Sequence, residues 1–171
     1  MTIEKFKIEV LPIKNKLYRL AKRLLVSKEE AEDTVQEVFL RLWSKKESLD
    51  QIRSIEGFAM VITKNLCFDK LKSKRRNTEE ISDTGLNVVH KTPYNEMEMT
   101  DSINRINKII KHLPDQQKII IHLRDVEGYE FEEIAEVTGL TINTIRVNLS
   151  RARKKVRETV LKEESYEFSS N

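Results

Sequence analysis

The chain has 171 residues, of which 39% are hydrophobic and 35% are charged, and its formal net charge is +3. The low content of Gly (4) and Pro (3) excludes a low-complexity chain and a loop-rich β-protein, and the single Cys excludes a disulfide framework. No apolar run approaches the ~18 residues of a membrane span, and the N-terminus lacks a signal-peptide core. We expect an all-α cytoplasmic protein without direct membrane insertion, metal or cofactor.

Three helical patterns predict a first small domain over residues 1–77. The first carries apolar residues at steps of three and four from Phe6 onward, and Pro12 predicts a start or a kink there. The second begins at Ser27, where Ser27 and Glu30 predict a capping box: the serine accepts from a backbone N–H, and the glutamate reaches back to the serine.

A third pattern begins near Ser54 and ends in a basic block, in which five of the seven residues 70–76 are Lys or Arg. Residues 78–100 hold five acidic residues against one basic, together with turn residues, and they predict a flexible acidic linker. Residues 101–162 predict a second helical domain, and residues 163–171 an acidic, disordered tail. The fold class is therefore two small helical domains joined by a linker.

The second domain opens with an amphipathic helix. Its apolar stripe consists of Ile103, Ile106, Ile110 and Leu113. Asp115 follows a proline and is predicted to cap the next helix.

A helix-turn-helix is predicted from Ala135, Gly139 and Ile145, which supply a small crossing residue, a turn glycine and an apolar residue of the second helix. Thr141 is the expected N-cap of that second helix. Residues 137–157 hold six basic and no acidic residues, which favours contact with DNA over an ordinary helical hairpin. The outward face offers Asn143, Arg146, Val147, Ser150, Arg151 and Arg153.

Three strings carry a resemblance to a known family. LPDQQKIIIHLRDVEGYEFEEIAEVTGLTINTIRVNLSRARKKV, residues 113–156, resembles region 4 of bacterial sigma factors. AEDTVQEVFLRLW (31–43) and GFAMVITKNLCFDKLKSKRRN (57–77) resemble region 2. Their order, the chain length and the lack of regions 1 and 3 make the chain similar to the extracytoplasmic-function (ECF) group of the sigma-70 superfamily.

The resemblance implies a protein that is not an enzyme. It implies binding to core RNA polymerase through the clamp coiled coil of the largest subunit, recognition of −10 and −35 promoter DNA, assistance in promoter melting, and control by an anti-sigma factor. The implied core-polymerase contacts are Asp33, Gln36, Glu37, Leu40, Arg41 and Trp43. The implied −10 contacts are Phe58, Lys64, Asn65, Asp69, Lys72, Arg75 and Arg76. The implied −35 contacts are Asn143, Thr144, Arg146, Val147, Asn148, Ser150, Arg151 and Arg153.

Several of these residues have a second interpretation. Phe39 and Leu42 are expected in the core, whereas Trp43 fits either the core or the partner surface. Phe58 is either a pocket wall or, by preference, a core residue. Val147 either touches a thymine methyl or packs inward.

Other classes of protein explain less of the sequence. A simple helix-turn-helix regulator explains residues 131–157 but not residues 31–43, and a scaffold leaves the basic helices without a purpose. An enzyme is disfavoured because the three histidines lack metal-ligand spacing and the glycines are isolated. His122 is expected at a helix surface or half-buried, and Cys67 is expected to be buried.

Overall fold

The computed structural model describes residues 1–82 and 101–169, and within these ranges the chain is helical and has no strand. The chain divides into two compact units, one within residues 1–94 and one within residues 95–171. The predicted all-α fold with two helical regions is confirmed.

In the first unit, Pro12 lies in a short 3₁₀ turn, Leu11–Ile13, so the first predicted helix is divided there as expected. A second 3₁₀ turn, Leu49–Gln51, precedes the last helix. The helices of residues 1–82 are α1 (Ile3–Glu9), α2 (Lys14–Leu25), α3 (Lys28–Ser44) and α4 (Ile55–Ser82).

The core of this unit forms where α2, α3 and α4 pack together. Two buried threonines lie among its apolar residues, and each donates its hydroxyl hydrogen to the carbonyl four residues earlier: Thr34 to Glu30 at 2.7 Å and Thr63 to Ala59 at 2.8 Å. Their polar groups are thus satisfied inside the core. The largest fully buried side chains here are Leu17, Leu20, Leu24, Leu42, Leu49 and Met60.

The N-terminus of α3 differs in part from the predicted capping box. Ser27 Oγ accepts from the Glu30 backbone N–H at 3.3 Å, as predicted. The Glu30 carboxylate instead accepts from Lys74 Nζ of α4 at 2.5 Å. A charged partner 44 residues away therefore replaces the local contact, and it ties the basic end of α4 to α3.

Helix α4 extends beyond the predicted domain end at residue 77 and reaches Ser82. The helix therefore includes the first five residues of the predicted linker, 78–82, and within it the Thr78 hydroxyl donates to the Lys74 carbonyl at 2.9 Å. The rest of that predicted linker, residues 83–100, lies outside the described residues.

Cys67 is buried in α4, as predicted, and its burial raises the pKa of the thiol from 9.0 to about 12. Because the thiolate is the reactive form, the native protein should resist thiol reagents at pH 8 and react only through unfolding. The neutral thiol is favoured by folding, so this contribution to the unfolding free energy should fall as pH rises from 9.0 towards about 12. Labelling kinetics at pH 8 in native and in denaturing buffer test the resistance of the Cys67 thiol. Rapid labelling of the native protein would contradict it.

The second unit contains a π-helical turn, His122–Val126, between its second and third helices. Gly128 follows this turn with φ of 75°, a conformation that favours glycine. The helices of residues 101–169 are α5 (Asp101–Lys111), α6 (Asp115–Ile121), α7 (Phe131–Thr138) and α8 (Ile142–Ser169).

The apolar stripe predicted for α5 is only partly buried. Ile110 and Leu113 are buried as predicted, but Ile103 and Ile106 are 44% and 39% exposed. Helix α8 packs instead along the neighbouring face of α5, where Arg105 Nε lies 3.7 Å from a Glu163 carboxylate oxygen. The predicted cap at Asp115 is also wrong by one residue, because Pro114 occupies the N-cap position and Asp115 begins α6.

The prediction of a disordered tail is wrong for residues 163–169, because α8 continues to Ser169. The ion pair between Arg105 and Glu163 ties this extension to α5. The surface or half-buried position predicted for His122 is also wrong. Its side chain is 2% exposed, and its Nε2 lies 3.4 Å from the carboxylate of Glu127, the residue that follows the π-helical turn.

Candidate nucleic-acid and partner interfaces

The outward side of α3 carries the residues predicted to contact polymerase. Leu40 is 69% exposed on a helix whose opposite side is buried. Arg41 donates to the Glu37 carboxylate at 2.5 Å, one turn apart. An aliphatic side chain with charged and amide neighbours suits contact with a partner helix. We define the docking face of α3 as Asp33, Gln36, Glu37, Leu40, Arg41 and Trp43.

Trp43 combines both interpretations that the sequence left open. Its ring meets the Phe6 ring edge-on, with centroids 5.1 Å apart, and Lys46 Nζ lies 4.3 Å from its centroid. The side chain nevertheless remains partly exposed. Leu42 is fully buried, as predicted, whereas Phe39 is only half-buried.

The outward side of α4 presents polar groups followed by cations. The exposed side chains of Asn65, Asp69, Lys72 and Arg76 follow one another at steps of four, three and four, so they lie on one face of the helix. Carboxamide and carboxylate groups lie nearer the start of the helix, and the two cations lie nearer its end. We define the outer face of α4 as Asn65, Asp69, Lys72 and Arg76.

Phe58 lies seven residues before Asn65, on the same side of α4. It is half-buried, and Lys45 Nζ lies 5.7 Å from its ring centroid. A half-buried ring fits both interpretations that the sequence left open, a pocket wall and a core position. Lys64 and Arg75 lie off the outer face. Lys64 is half-buried, and this burial lowers the pKa of its ammonium group.

The helix-turn-helix has the geometry that the sequence predicts. Gly139 takes φ of 72° and its N–H donates to the Ala135 carbonyl at 2.8 Å, which ends α7. Thr141 Oγ1 accepts from the Thr144 N–H at 3.2 Å and begins α8. Ile145 is fully buried, so it fixes α8 in the unit and turns the opposite side of the helix outward.

The outward side of α8 is polar and basic. Val147 is 40% exposed, so it does not pack inward. Lys154 and Arg157 are exposed and continue the same side, although neither was among the predicted −35 contacts. Their position in the basic run was the available signal. We define the outer face of α8 as Asn143, Arg146, Val147, Ser150, Arg151, Lys154 and Arg157.

Three predicted −35 residues also have contacts within the protein. The hydroxyl oxygens of Thr144 and Thr141 lie 2.9 Å apart, and Asn148 Nδ2 donates to the Thr144 carbonyl at 2.9 Å. Arg153 Nε donates to the Asp125 carboxylate at 3.0 Å and so links α8 to the π-helical turn. Each of these side chains thus stabilises the local structure, and their contacts with DNA stay predictions.

The three surfaces lie on helices with buried opposite sides, so each is presented by a packed scaffold. The outer faces of α4 and α8 each carry several exposed cations suited to phosphates, whereas the exposed Arg41 of the docking face is paired with Glu37. Within residues 1–82 and 101–169, no helix combines the length and apolar character that crossing a membrane requires.

Two family descriptions match the chain. Sigma-70 region 2 matches residues 11–77, and Sigma-70 region 4 matches residues 103–156. The first range contains the docking face of α3 and the outer face of α4. The second contains the outer face of α8 apart from its last residue, Arg157.

Curated relatives agree with these matches. The chain is 30% identical over 151 residues to the RNA polymerase sigma factor SigV of Bacillus subtilis, and the alignment covers 88% of each chain. It is 27% identical over 155 residues to the ECF RNA polymerase sigma factor SigW of the same organism, covering 85% of this chain and 83% of that relative. The chain belongs to the sigma-70 family, in its ECF group. It is a transcription initiation factor that binds core RNA polymerase and directs it to promoter DNA.

Solved structures share the fold. The sigma factor RpoE, solved in complex with the anti-sigma factor NepR from Bartonella quintana, matches with a TM-score of 0.79 at 23% identity, covering 92% of this chain and 98% of that chain. CnrH, solved in complex with the cytosolic domain of CnrY, matches with a TM-score of 0.68 at 19% identity, covering 93% of this chain and 89% of that chain.

Proposed function

We propose that three separate surfaces divide the work of this sigma factor. The docking face of α3 binds the clamp coiled coil of the largest polymerase subunit. The outer face of α4 binds the unpaired −10 element, and the outer face of α8 binds the −35 duplex. The observation that supports this division is that the docking face has the exposed Leu40 at its centre and pairs its one cation, Arg41, with Glu37, whereas each outer face carries two or more cations.

The docking role of α3 follows from what surrounds Leu40. A fully hydrated leucine at the surface gains free energy when a partner removes it from water, at about 25 cal/mol per Å² of apolar area. Asp33 and Gln36 are exposed beside it and can satisfy polar groups at the rim of the contact. Trp43 is held by Phe6 and so offers a fixed aromatic edge, which loses little conformational entropy on binding.

The −10 role of α4 follows from the order of groups along its outer face. An unpaired base exposes hydrogen-bonding edges, which Asn65 and Asp69 can read. The phosphates beside it need cations, which Lys72 and Arg76 supply. The partly exposed Phe58 ring on the same side can contact the flat face of a base.

The −35 role of α8 follows from the helix-turn-helix. The second helix of this motif enters the major groove and reads base edges with its N-terminal residues. Arg146 can bond both acceptors of a guanine, and the exposed methyl groups of Val147 can contact a thymine methyl. Arg151, Lys154 and Arg157 follow along the helix and suit the phosphate backbone.

Asn65→Ala and Lys72→Ala should separate base reading from phosphate binding on α4. We expect Asn65→Ala to lower discrimination among −10 sequences by about 1–3 kcal/mol. Lys72→Ala should weaken binding of all sequences equally and reduce the slope of log K against log salt by about 0.7, as expected for one phosphate of a single strand. Holoenzyme binding to promoter fragments already unpaired at −10, measured by fluorescence anisotropy, tests both.

Lys28→Ala is the matched control, because Lys28 is an exposed lysine of the same unit on α3. It should leave both discrimination and salt slope unchanged. If Asn65→Ala weakened binding of all −10 sequences equally, Asn65 would contact a phosphate rather than a base. If neither Asn65→Ala nor Lys72→Ala changed promoter binding, the −10 site would not lie on α4.

We infer that the chain has no catalytic site of its own and acts in the cytoplasm, where polymerase and DNA are found. The polymerase supplies the chemistry, and this chain supplies recognition. We also propose that an anti-sigma factor controls it, because the sigma factor RpoE, which has the same fold, was solved in complex with the anti-sigma factor NepR. Such a partner would act by covering one or more of the three surfaces.

A further inference from the structure

Phe131, the first residue of α7, has a guanidinium group near its ring from each of two other elements. The Arg124 guanidinium carbon, from the π-helical turn, lies 4.8 Å from the ring centroid. The Arg146 guanidinium carbon, from α8, lies 5.1 Å from the same centroid. Both distances fall inside the ~6 Å range of cation–π attraction. The ring therefore links the turn before the helix-turn-helix to the helix proposed to read the −35 element.

Arg124 is fixed by hydrogen bonds, and Arg146 is not held in the same way. Arg124 Nη1 donates to the Tyr129 carbonyl at 2.7 Å and to the Glu130 carboxylate at 3.0 Å. The Glu130 carboxylate also offsets the charge of Arg124, which limits the repulsion between the two guanidinium groups. Arg146 is exposed, and the Phe131 ring is the contact that the structure gives its guanidinium within residues 101–169.

A ring beside an arginine restricts the side chain without occupying its donors. A free arginine side chain carries about 2 kcal/mol of rotamer entropy, which binding must remove. Contact with the aromatic face limits the accessible rotamers before DNA arrives, while the N–H groups at the guanidinium edge stay available for a guanine. Orientation before binding reduces the entropy lost on binding.

We propose that Phe131 and Arg124 form a positioning pair that orients Arg146 for base reading at the −35 element. This inference rests on the proposed function of α8. Neither residue of the pair lies on α8, and neither needs to touch a base. The pair acts on selectivity more than on affinity, because an unrestrained Arg146 still reaches neighbouring phosphates, whereas a restrained one favours one base edge.

The test is the discrimination of the holoenzyme between a promoter it transcribes and variants with single −35 substitutions. Phe131→Leu keeps an apolar side chain but removes the ring, so discrimination should fall by about two- to five-fold, the equivalent of an exposed cation–π contact. Phe131→Tyr keeps the ring and should retain discrimination. Arg146→Ala should lose more, and adding Phe131→Leu to it should cause no further loss.

Val126→Ala is the matched control, because Val126 is an exposed residue of the π-helical turn that also contains Arg124. It should leave discrimination unchanged. Thermal melting identifies any variant that unfolds, and Phe131→Met, which also lacks a ring, replaces Phe131→Leu in that case. If Arg146→Ala itself leaves discrimination unchanged, the proposed role of Arg146 fails and the positioning pair fails with it.

Three other results would contradict the positioning pair but not the proposed role of Arg146. The first is a loss with Arg146→Ala but wild-type discrimination with both ring-free variants. The second is an equal loss with Phe131→Tyr and Phe131→Leu. The third is full additivity of Phe131→Leu and Arg146→Ala, which would show that the two side chains act independently.

Discussion

Leu40→Asp should weaken binding of the chain to core RNA polymerase by about 30-fold or more. Leu40 is the exposed aliphatic centre of the docking face of α3, and the few hot-spot residues near the centre of an interface each cost about 2 kcal/mol or more when they are removed. A buried carboxylate without a partner adds a desolvation cost to the lost apolar contact. Titration of fluorescently labelled protein with core polymerase lacking any sigma factor measures the change.

Ile8→Asp is the matched control for this substitution. Ile8 is a similarly exposed aliphatic residue of the same unit, and it lies on the side of α1 opposite Phe6, the residue of α1 that contacts Trp43. It should leave the polymerase affinity unchanged, and both variants should melt like the wild type because neither side chain is in the core. If Leu40→Asp left the polymerase affinity unchanged, or if Ile8→Asp lowered it equally, the proposed docking face of α3 would be contradicted.

Ile145→Ala should destabilise the second unit by about 2–5 kcal/mol, the range for removing buried aliphatic groups from a packed core. Ile145 is fully buried and fixes α8 within the helix-turn-helix. Because the chain forms two compact units, the first unit should keep its own unfolding transition. Denaturant unfolding followed by circular dichroism and by Trp43 fluorescence, which reports the first unit alone, tests this.

Val147→Ala provides the comparison on the same helix, two residues away. Val147 is exposed, so this change should cost no more than about 0.5 kcal/mol, as surface substitutions usually do. Equal destabilisation by the two variants would contradict the assigned inward and outward sides of α8. A shift of the Trp43 signal by Ile145→Ala would contradict the independence of the two units.

The parts of this structure that depend on neighbouring residues are predictable from the sequence. The break at Pro12, the turn at Gly139 and the cap at Thr141 each need only local backbone chemistry. Periodicity likewise places Leu42 and Ile145 inside, and Arg146 and Arg151 outside. The two helical regions and the helix-turn-helix were therefore within reach of sequence analysis.

Several of the errors concern contacts between residues that are distant in the sequence. Glu30 bonds Lys74 of α4 rather than the N-terminus of its own helix. Glu163 pairs with Arg105 of α5, and α8 continues to Ser169 instead of ending before residue 163. The Phe131 contacts of Arg124 and Arg146 also join three elements. Periodicity reports which side of one helix is apolar, but it does not report which other helix packs there.

The central claim is that this chain directs core RNA polymerase to specific promoters through its own surfaces. Run-off transcription tests it most directly, with purified protein, core polymerase free of other sigma factors, and a library of upstream DNA fragments. We predict specific transcripts that require both proteins and that disappear with Leu40→Asp but not with Ile8→Asp. Absence of transcripts, together with tight binding of the isolated chain to duplex DNA, would contradict the claim.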